Sequence, residues 1–192
     1  MADAVIENPV INSAFAEPLR HFRFSEDGIT NEIVEGRRKS TYFMPIPKAK
    51  KRGQQLVFET EWTQDRIEQN LHIDRIRERV ALWRRGKYAG VTPVTRRLLE
   101  HWTDSERENK LFFCQIEALE SAIYIAEVAG KFDPWIADTL REANDSSNPG
   151  LPRIALKMAT GSGKTVVMAM LIAWQALNKL ANPQDRRFSD TF

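Results

Sequence analysis

The stretch RIALKMATGSGKTVVMAMLIA occupies residues 153–173 and decides how the remainder of the chain is interpreted. An apolar run at residues 154–158 predicts a buried strand, and a second at residues 166–177 predicts a helix. A glycine-containing turn at residues 160–165 lies between them. A strand, a glycine turn and a helix in this order form the sequence context of a phosphate-binding loop.

Each position of this turn suits one part of that task. Gly161 and Gly163 let the backbone approach phosphate groups because they have no Cβ. Lys164 is predicted to reach the β- and γ-phosphates as the catalytic residue, and the Thr165 hydroxyl to bind Mg²⁺. The full set of predicted nucleotide-binding residues in the turn is Thr160, Gly161, Ser162, Gly163, Lys164 and Thr165. The alternative is a simple turn whose lysine and threonine are only solvated.

Composition narrows the class of protein. A chain of 192 residues that is 42% hydrophobic and 28% charged indicates a globular domain rather than a disordered segment. The net charge of +2 is too small to indicate nucleic-acid binding by itself. Cys114, the single cysteine, excludes an internal disulfide and is expected to be a small buried residue. We find no signal peptide, membrane span or metal-ligand cluster in the sequence, and we expect a cytoplasmic location.

The N-terminal third predicts short strands and one basic segment. β-like runs at residues 21–24, 32–35, 41–46 and 55–59 indicate a small antiparallel sheet or a β-rich arm. Residues 36–52 contain seven basic side chains and no acidic one, with Tyr42 and Phe43 between the two basic clusters. This segment is suited to contact phosphate backbones and stack on bases. A solvated surface loop is the alternative.

Helical patterns fill the middle of the chain. The first predicted helix covers residues 62–85, with Thr63 as its cap and Gly86 after its end. Others are predicted to begin at Thr92-Pro93, at residue 112 with an end at Gly130, and at Asp133-Pro134. The loop at residues 144–150 is the clearest internal boundary. The predicted domains are therefore a β-rich segment at 1–60, a helical region at 61–145, and the phosphate-loop unit at 151–192.

Two motifs resemble those of known molecular motors. KMATGSGKT at residues 157–165 resembles motif I of superfamily-two helicases and translocases, especially the branch with restriction-enzyme motor subunits. In that branch Met158 is an ordinary replacement for the first glycine of the general pattern. FFCQIEA at residues 112–118 resembles the helicase element whose glutamine recognises adenine, which gives that role to Gln115. A glutamine amide both donates and accepts, as the adenine edge requires. A solvent-facing helix glutamine is the alternative.

The N-terminus resembles the start of the Res subunit of type III-like restriction endonucleases. The similar segments are FAEP (15–18), RHFRF (20–24), GIT (28–30), EGRR (35–38) and YFMPIP (42–47). The resemblance implies a longer protein with two RecA-like lobes and a nuclease domain, which uses ATP and Mg²⁺ to move along double-stranded DNA. It leaves open a methyltransferase subunit as a partner.

These inferences define the expected fold and function. We expect an α/β fold: an incomplete P-loop RecA-like lobe of one strand and one helix, after a helical region and a β-rich segment. The acidic Mg²⁺ motif and second-lobe arginines of such motors cannot lie in the residues after Thr165. We therefore expect the ATP-binding N-terminal part of a larger motor, with poor ATPase activity alone. The alternatives are another P-loop NTPase, such as a kinase or transporter ATPase, or a non-catalytic DNA- or partner-binding module at residues 1–150.

Overall fold

The fold combines α-helices with two small antiparallel sheets. The computed structural model describes residues 8–25, 28–43, 67–151 and 153–191. Its contacts divide the chain into two units. One comprises Met1–Ser13 with Glu17–Asp74, and the other comprises Ala14–Ala16 with Arg75–Phe192.

The first unit contains both sheets, each of two strands. β1 (Arg20–Ser25) pairs antiparallel with β2 (Gly28–Glu35), and β3 (Thr41–Phe43) pairs antiparallel with β4 (Ile67–Gln69). The predicted runs at residues 21–24 and 32–35 lie within β1 and β2. The predicted run at 55–59 lies outside the described residues. Two-stranded sheets bury little, and Phe24 of β1 stays 48% exposed.

The second unit contains nearly all of the helical structure. Its elements in chain order are α1 (Leu71–Arg85), which begins in the first unit, α2 (Pro93–Thr103), α3 (Phe113–Ile123), a π-helical turn (Tyr124–Val128), α4 (Ala129–Phe132), α5 (Pro134–Ser147) and α6 (Lys164–Ala181). Apolar side chains from all six of these helices and the π-helical turn are fully or almost fully buried in its core; among them are Val80, Leu99, Leu119, Ile123, Val128, Ala129, Ile136 and Val167.

The start of α2 follows its local sequence signals. Thr92 caps the helix, since its Oγ1 accepts a hydrogen bond from the Thr95 N–H at 3.1 Å, and Pro93 occupies the first helical position. This confirms the predicted start. The predicted start of α1 near residue 62 is wrong, because residues 67–69 pair with β3 as a strand and the helix begins only at Leu71.

Gly130 does not end the α3 helix, contrary to the prediction. The helical backbone passes through the π-helical turn and Gly130 to Phe132. The break falls at Asp133, where the backbone leaves the helical region and Pro134 starts α5. A glycine in a helix costs about 1 kcal/mol relative to alanine, which packing on neighbouring turns readily offsets.

The predicted strand at residues 154–158 is also wrong for the structure described. These residues have irregular backbone, and Ile154 is 52% exposed. Among the residues that the structure describes, no strand pairs with them, and a single parallel strand has nothing to complete its hydrogen bonds.

Several clusters of buried polar side chains accompany the apolar core. Glu120 of α3 is completely buried and accepts hydrogen bonds from Arg84 Nε at 2.9 Å and from the Tyr88 hydroxyl at 2.7 Å. Burial, together with the neighbouring Glu120 carboxylate, raises the pKa of Tyr88 above its ordinary value. Another cluster lies beneath α6 and is described with the site.

Candidate phosphate-binding site

The loop at residues 159–163 turns directly into α6. Gly161 and Gly163 both have φ of +77°, in the left-handed region that favours glycine. Gly163 is the cap of α6, and its carbonyl accepts the N–H groups of Val166 and Val167 at 3.0 and 3.3 Å. The two glycines therefore let the chain fold back sharply and enter an 18-residue helix without side-chain strain.

The first N–H groups of α6 are available to an anion. Within the described part of the chain, the backbone N–H groups of Lys164 and Thr165 have no hydrogen-bond partner. They lie at the positive end of the helix dipole, where negative charge is stabilised. An ideal Cβ on Gly161 would meet no atom within 4 Å, so the loop faces open space. This combination suits a phosphate group.

Lys164 folds back over the loop rather than extending away from it. Its Nζ donates a hydrogen bond to the Ala159 carbonyl at 2.9 Å, and Ser162 Oγ donates to the same oxygen at 2.6 Å. The ammonium group is thus held beside the glycine turn by a partially negative oxygen. A phosphate oxygen could replace that carbonyl as its partner at little cost, since both accept from the ammonium.

Gln115 contacts the same loop from α3. Its side chain is buried, and its Nε2 donates to the Ser162 carbonyl at 3.1 Å. Its Oε1 accepts the Phe112 N–H at 2.9 Å. The structure therefore brings Gln115 together with the glycine turn across 47 positions of sequence, and a solvent-facing side chain is not what is observed.

Thr165 fits the role of a magnesium ligand only in part. Its side chain is exposed at the first turn of α6, where a hydroxyl could join phosphate oxygens and water around Mg²⁺. Among the described residues, no three His, Cys, Asp or Glu side chains come together to hold a metal ion. Phosphate oxygens and water would have to supply most of the remaining ligands. Thr160 is likewise exposed on the loop.

Sequence reasoning missed the polar cluster that fixes α6. Glu127 of the π-helical turn is buried and accepts hydrogen bonds from Thr95 Oγ1 at 2.6 Å, Trp174 Nε1 at 2.8 Å and the Thr92 N–H at 2.9 Å. The fully buried Asn178 donates from Nδ2 to Thr95 Oγ1 at 2.9 Å. The cluster joins α2, the π-helical turn and α6. No local pattern could have revealed it, because its members are widely separated in sequence.

Cys114 differs from its prediction. The thiol is free and exposed rather than buried. The reason is that Gln115 and Leu119, one turn apart on α3, take the buried side of that helix.

The described half of the basic segment is partly engaged in internal contacts. Arg37 forms an ion pair with Glu17 at 3.3 Å, and the Arg38 guanidinium lies 3.9 Å from the centre of the Phe24 ring. Residues 44–52 lie outside the described residues. DNA contact by this segment therefore stays a prediction.

Comparison with known proteins adds no assignment. The chain matches no protein-family model, and the searches of curated proteins and of solved structures found no match. In the part of the chain described, every helix is too short or too polar to cross a membrane.

Proposed function

We propose that residues 159–165 bind the phosphate groups of ATP together with Mg²⁺. The observation that supports this most is the loop itself. Two left-handed glycines lead into a long helix whose first N–H groups are unpaired in the described chain, with the Lys164 ammonium beside them. Left-handed glycines occur in many tight turns, so the unpaired N–H groups and the Lys164 ammonium beside them are what favour an anion site over an ordinary turn.

The residues divide the work of binding. The loop amides and Lys164 hold the phosphates, and the Thr165 hydroxyl supplies one ligand to the metal. Mg²⁺, when bound, neutralises phosphate charge during phosphoryl transfer. Gln115 has one N–H and one acceptor lone pair left after its two hydrogen bonds, which is the pair that an adenine edge requires.

We further propose that this loop belongs to a RecA-like lobe. No hydrogen bond joins the backbone of residues 154–158 to any other described residue. The outer face of α6 is apolar, with Met168 61% and Ile172 44% exposed. Further strands pairing beside residues 154–158 would supply hydrogen bonds to the backbone of these residues, and the resulting sheet would cover the apolar outer face of α6. The chain would then be the ATP-binding part of a DNA translocase of the type III restriction class, which engages double-stranded DNA through the complete protein. Whether a methyltransferase subunit is also a partner stays open.

Lysine replacement tests nucleotide binding directly. Lys164→Ala should weaken binding of Mg-ATP at least tenfold, measured by calorimetry, because it removes the cation nearest the phosphates. Lys179→Ala is the matched control, since it removes the same charge from the last turn of the same helix, roughly 22 Å away. Equal effects of the two changes would contradict a phosphate site at this loop.

Base preference separates the translocase from other P-loop NTPases. A role for Gln115 in recognising adenine predicts tighter binding of ATP than of GTP, with the preference lost in Gln115→Ala. A preference for GTP would remove that role and favour a different class of NTPase. Sustained hydrolysis that depends on Lys164 in this chain alone would contradict the need for a second lobe.

A further inference from the structure

We propose that Gln115 is a positioning residue for the phosphate-binding loop, acting on the backbone at Ser162 and Gly163 whether or not a base is bound. The inference rests on the proposed phosphate site. It goes beyond adenine recognition, because the contact that the structure shows is between Gln115 and the loop.

The orientation of the Gln115 amide follows from its two partners. The Ser162 carbonyl can only accept and the Phe112 N–H can only donate, so Nε2 must face the first and Oε1 the second. The side chain is only 5% exposed. Turning the amide toward a ligand would therefore leave two backbone groups without partners, and the loop contact is its resting arrangement.

Gly163 and Gln115 also fit each other sterically. A Cβ on residue 163 would lie 2.2 Å from Gln115 Nε2, which is closer than any real contact. The left-handed φ of Gly163 disfavours a side chain independently. The Gln115 amide thus occupies the space against which the loop backbone rests.

The start of α3, which carries Gln115, is itself held in place. Phe113 N–H donates to the Ala14 carbonyl at 2.8 Å, and the Phe112 and Phe15 rings lie 5.5 Å apart. The Phe112 N–H donates to Gln115 Oε1, as described above. An anchored first turn of α3 makes the amide a rigid support for the loop rather than a mobile surface group.

Tripolyphosphate, which has no nucleobase, distinguishes a role of Gln115 in positioning the loop from a role in recognising adenine. The experiment measures binding of Mg-tripolyphosphate and of Mg-ATP to the 192-residue chain by calorimetry. Gln115→Met has nearly the same length but neither hydrogen bond, and it adds no charge near the phosphates. We expect this substitution to weaken the binding of both ligands by a similar factor of about ten, because the loop loses a buried hydrogen bond in either case.

The controls separate the failure of this inference from failure of the proposed function. Gln175→Met removes a half-buried glutamine of α6 that accepts the Ser189 N–H at 2.9 Å, and it should leave both affinities unchanged. If Gln115→Met weakens ATP but not tripolyphosphate, Gln115 recognises only the base and the inference is overturned. If Lys164→Ala alters neither affinity, the phosphate site itself is refuted and the inference with it.

A double-substitution cycle tests the contact even if Gln115→Met folds poorly. Gly163→Ala should weaken tripolyphosphate binding less in a Gln115→Ala background than in the native chain, because the clashing amide is absent. Strictly additive effects would overturn the contact. Hydrogen exchange of the Ser162 N–H, which donates to the Ala159 carbonyl at 3.4 Å, should also speed up without ligand in Gln115→Ala, and unchanged exchange would count against the proposal.

Discussion

Asp133 links three parts of the helical unit through one carboxylate. It accepts hydrogen bonds from Tyr124, from Arg79 Nε at 2.8 Å and from Trp135 Nε1 at 3.3 Å. Burial opposes its ionisation, but these hydrogen bonds and the Arg79 charge outweigh burial and lower the pKa of Asp133 below 3.8. The ionised form of Asp133 is therefore more favourable in the folded chain than in the unfolded chain, and it stabilises the fold.

We predict that Asp133→Asn lowers the free energy of unfolding by about 2 kcal/mol at neutral pH, because a charged acceptor is lost. The stabilisation exists above the ordinary pKa and disappears as the pH falls through the lower folded value. The difference between native and variant chains should thus shrink below about pH 4, measured by urea unfolding. Asp138→Asn breaks an exposed pair with Arg141 and should change little. A difference that is independent of pH would contradict the ionised hydrogen-bond network.

At the scale of elements, α6 is fixed through Glu127. Three donors from α2 and α6 converge on this carboxylate. Removing it takes the acceptor from the Thr92 N–H and leaves Trp174 Nε1 with only the longer 3.1 Å contact to Thr95 Oγ1, which costs more than loss of one bond. The position of the helix that follows the phosphate-binding loop therefore depends on a side chain of the π-helical turn.

We predict that Glu127→Ala destabilises the chain by about 3 kcal/mol and Glu127→Gln by less, since glutamine keeps one acceptor oxygen. Glu142→Ala on the exposed side of α5 is the matched control and should lie within about 0.5 kcal/mol of the native value. Equal losses for Glu127→Ala and the control, in the same denaturation experiment, would show that the cluster does not fix α6.

In the second, helical unit as a whole, the main feature that still needs an explanation is the exposed apolar outer face of α6. Met168 is 61% and Leu180 is 78% exposed, whereas Met170 on the inner face is 6% exposed. A helix that is apolar on all sides is normally buried on all sides. This face is where the proposed sheet would pack, and exposed apolar surface of this kind favours association.

We predict that Met168→Glu leaves the free energy of unfolding within about 1 kcal/mol of the native value while reducing self-association in light scattering. Met170→Glu on the same helix should instead unfold the chain, because it buries a charge without a partner. A large loss of stability in Met168→Glu would mean that the outer face already packs within this chain.

Local signals predicted the elements that depend on local chemistry. Thr92 and Pro93 gave the start of α2, and the glycine turn gave the start of α6. The strand at 67–69 and the irregular segment at 154–158 were mispredicted because pairing partners, not propensity, decide whether a short apolar run forms a strand. The Gln115 contact with Ser162 joins distant residues, so the residues alone could suggest a polar side chain but not its place.

The π-helical turn at Tyr124–Val128 has a consequence for how this chain can vary. Such a turn is a regular helix with one amino acid inserted, so a single deletion can undo it. Deleting the exposed Ala126 would let this turn close into a regular α-helix, and the residues on either side would keep their directions because the wide turn had already absorbed the extra residue. Glu120 and Glu127 would then keep their partners. In a regular helix the same deletion would rotate the two sides by about 100° relative to each other. The loss of one residue is therefore tolerated at this turn, whereas elsewhere in the helix it would be equivalent to losing a buried carboxylate.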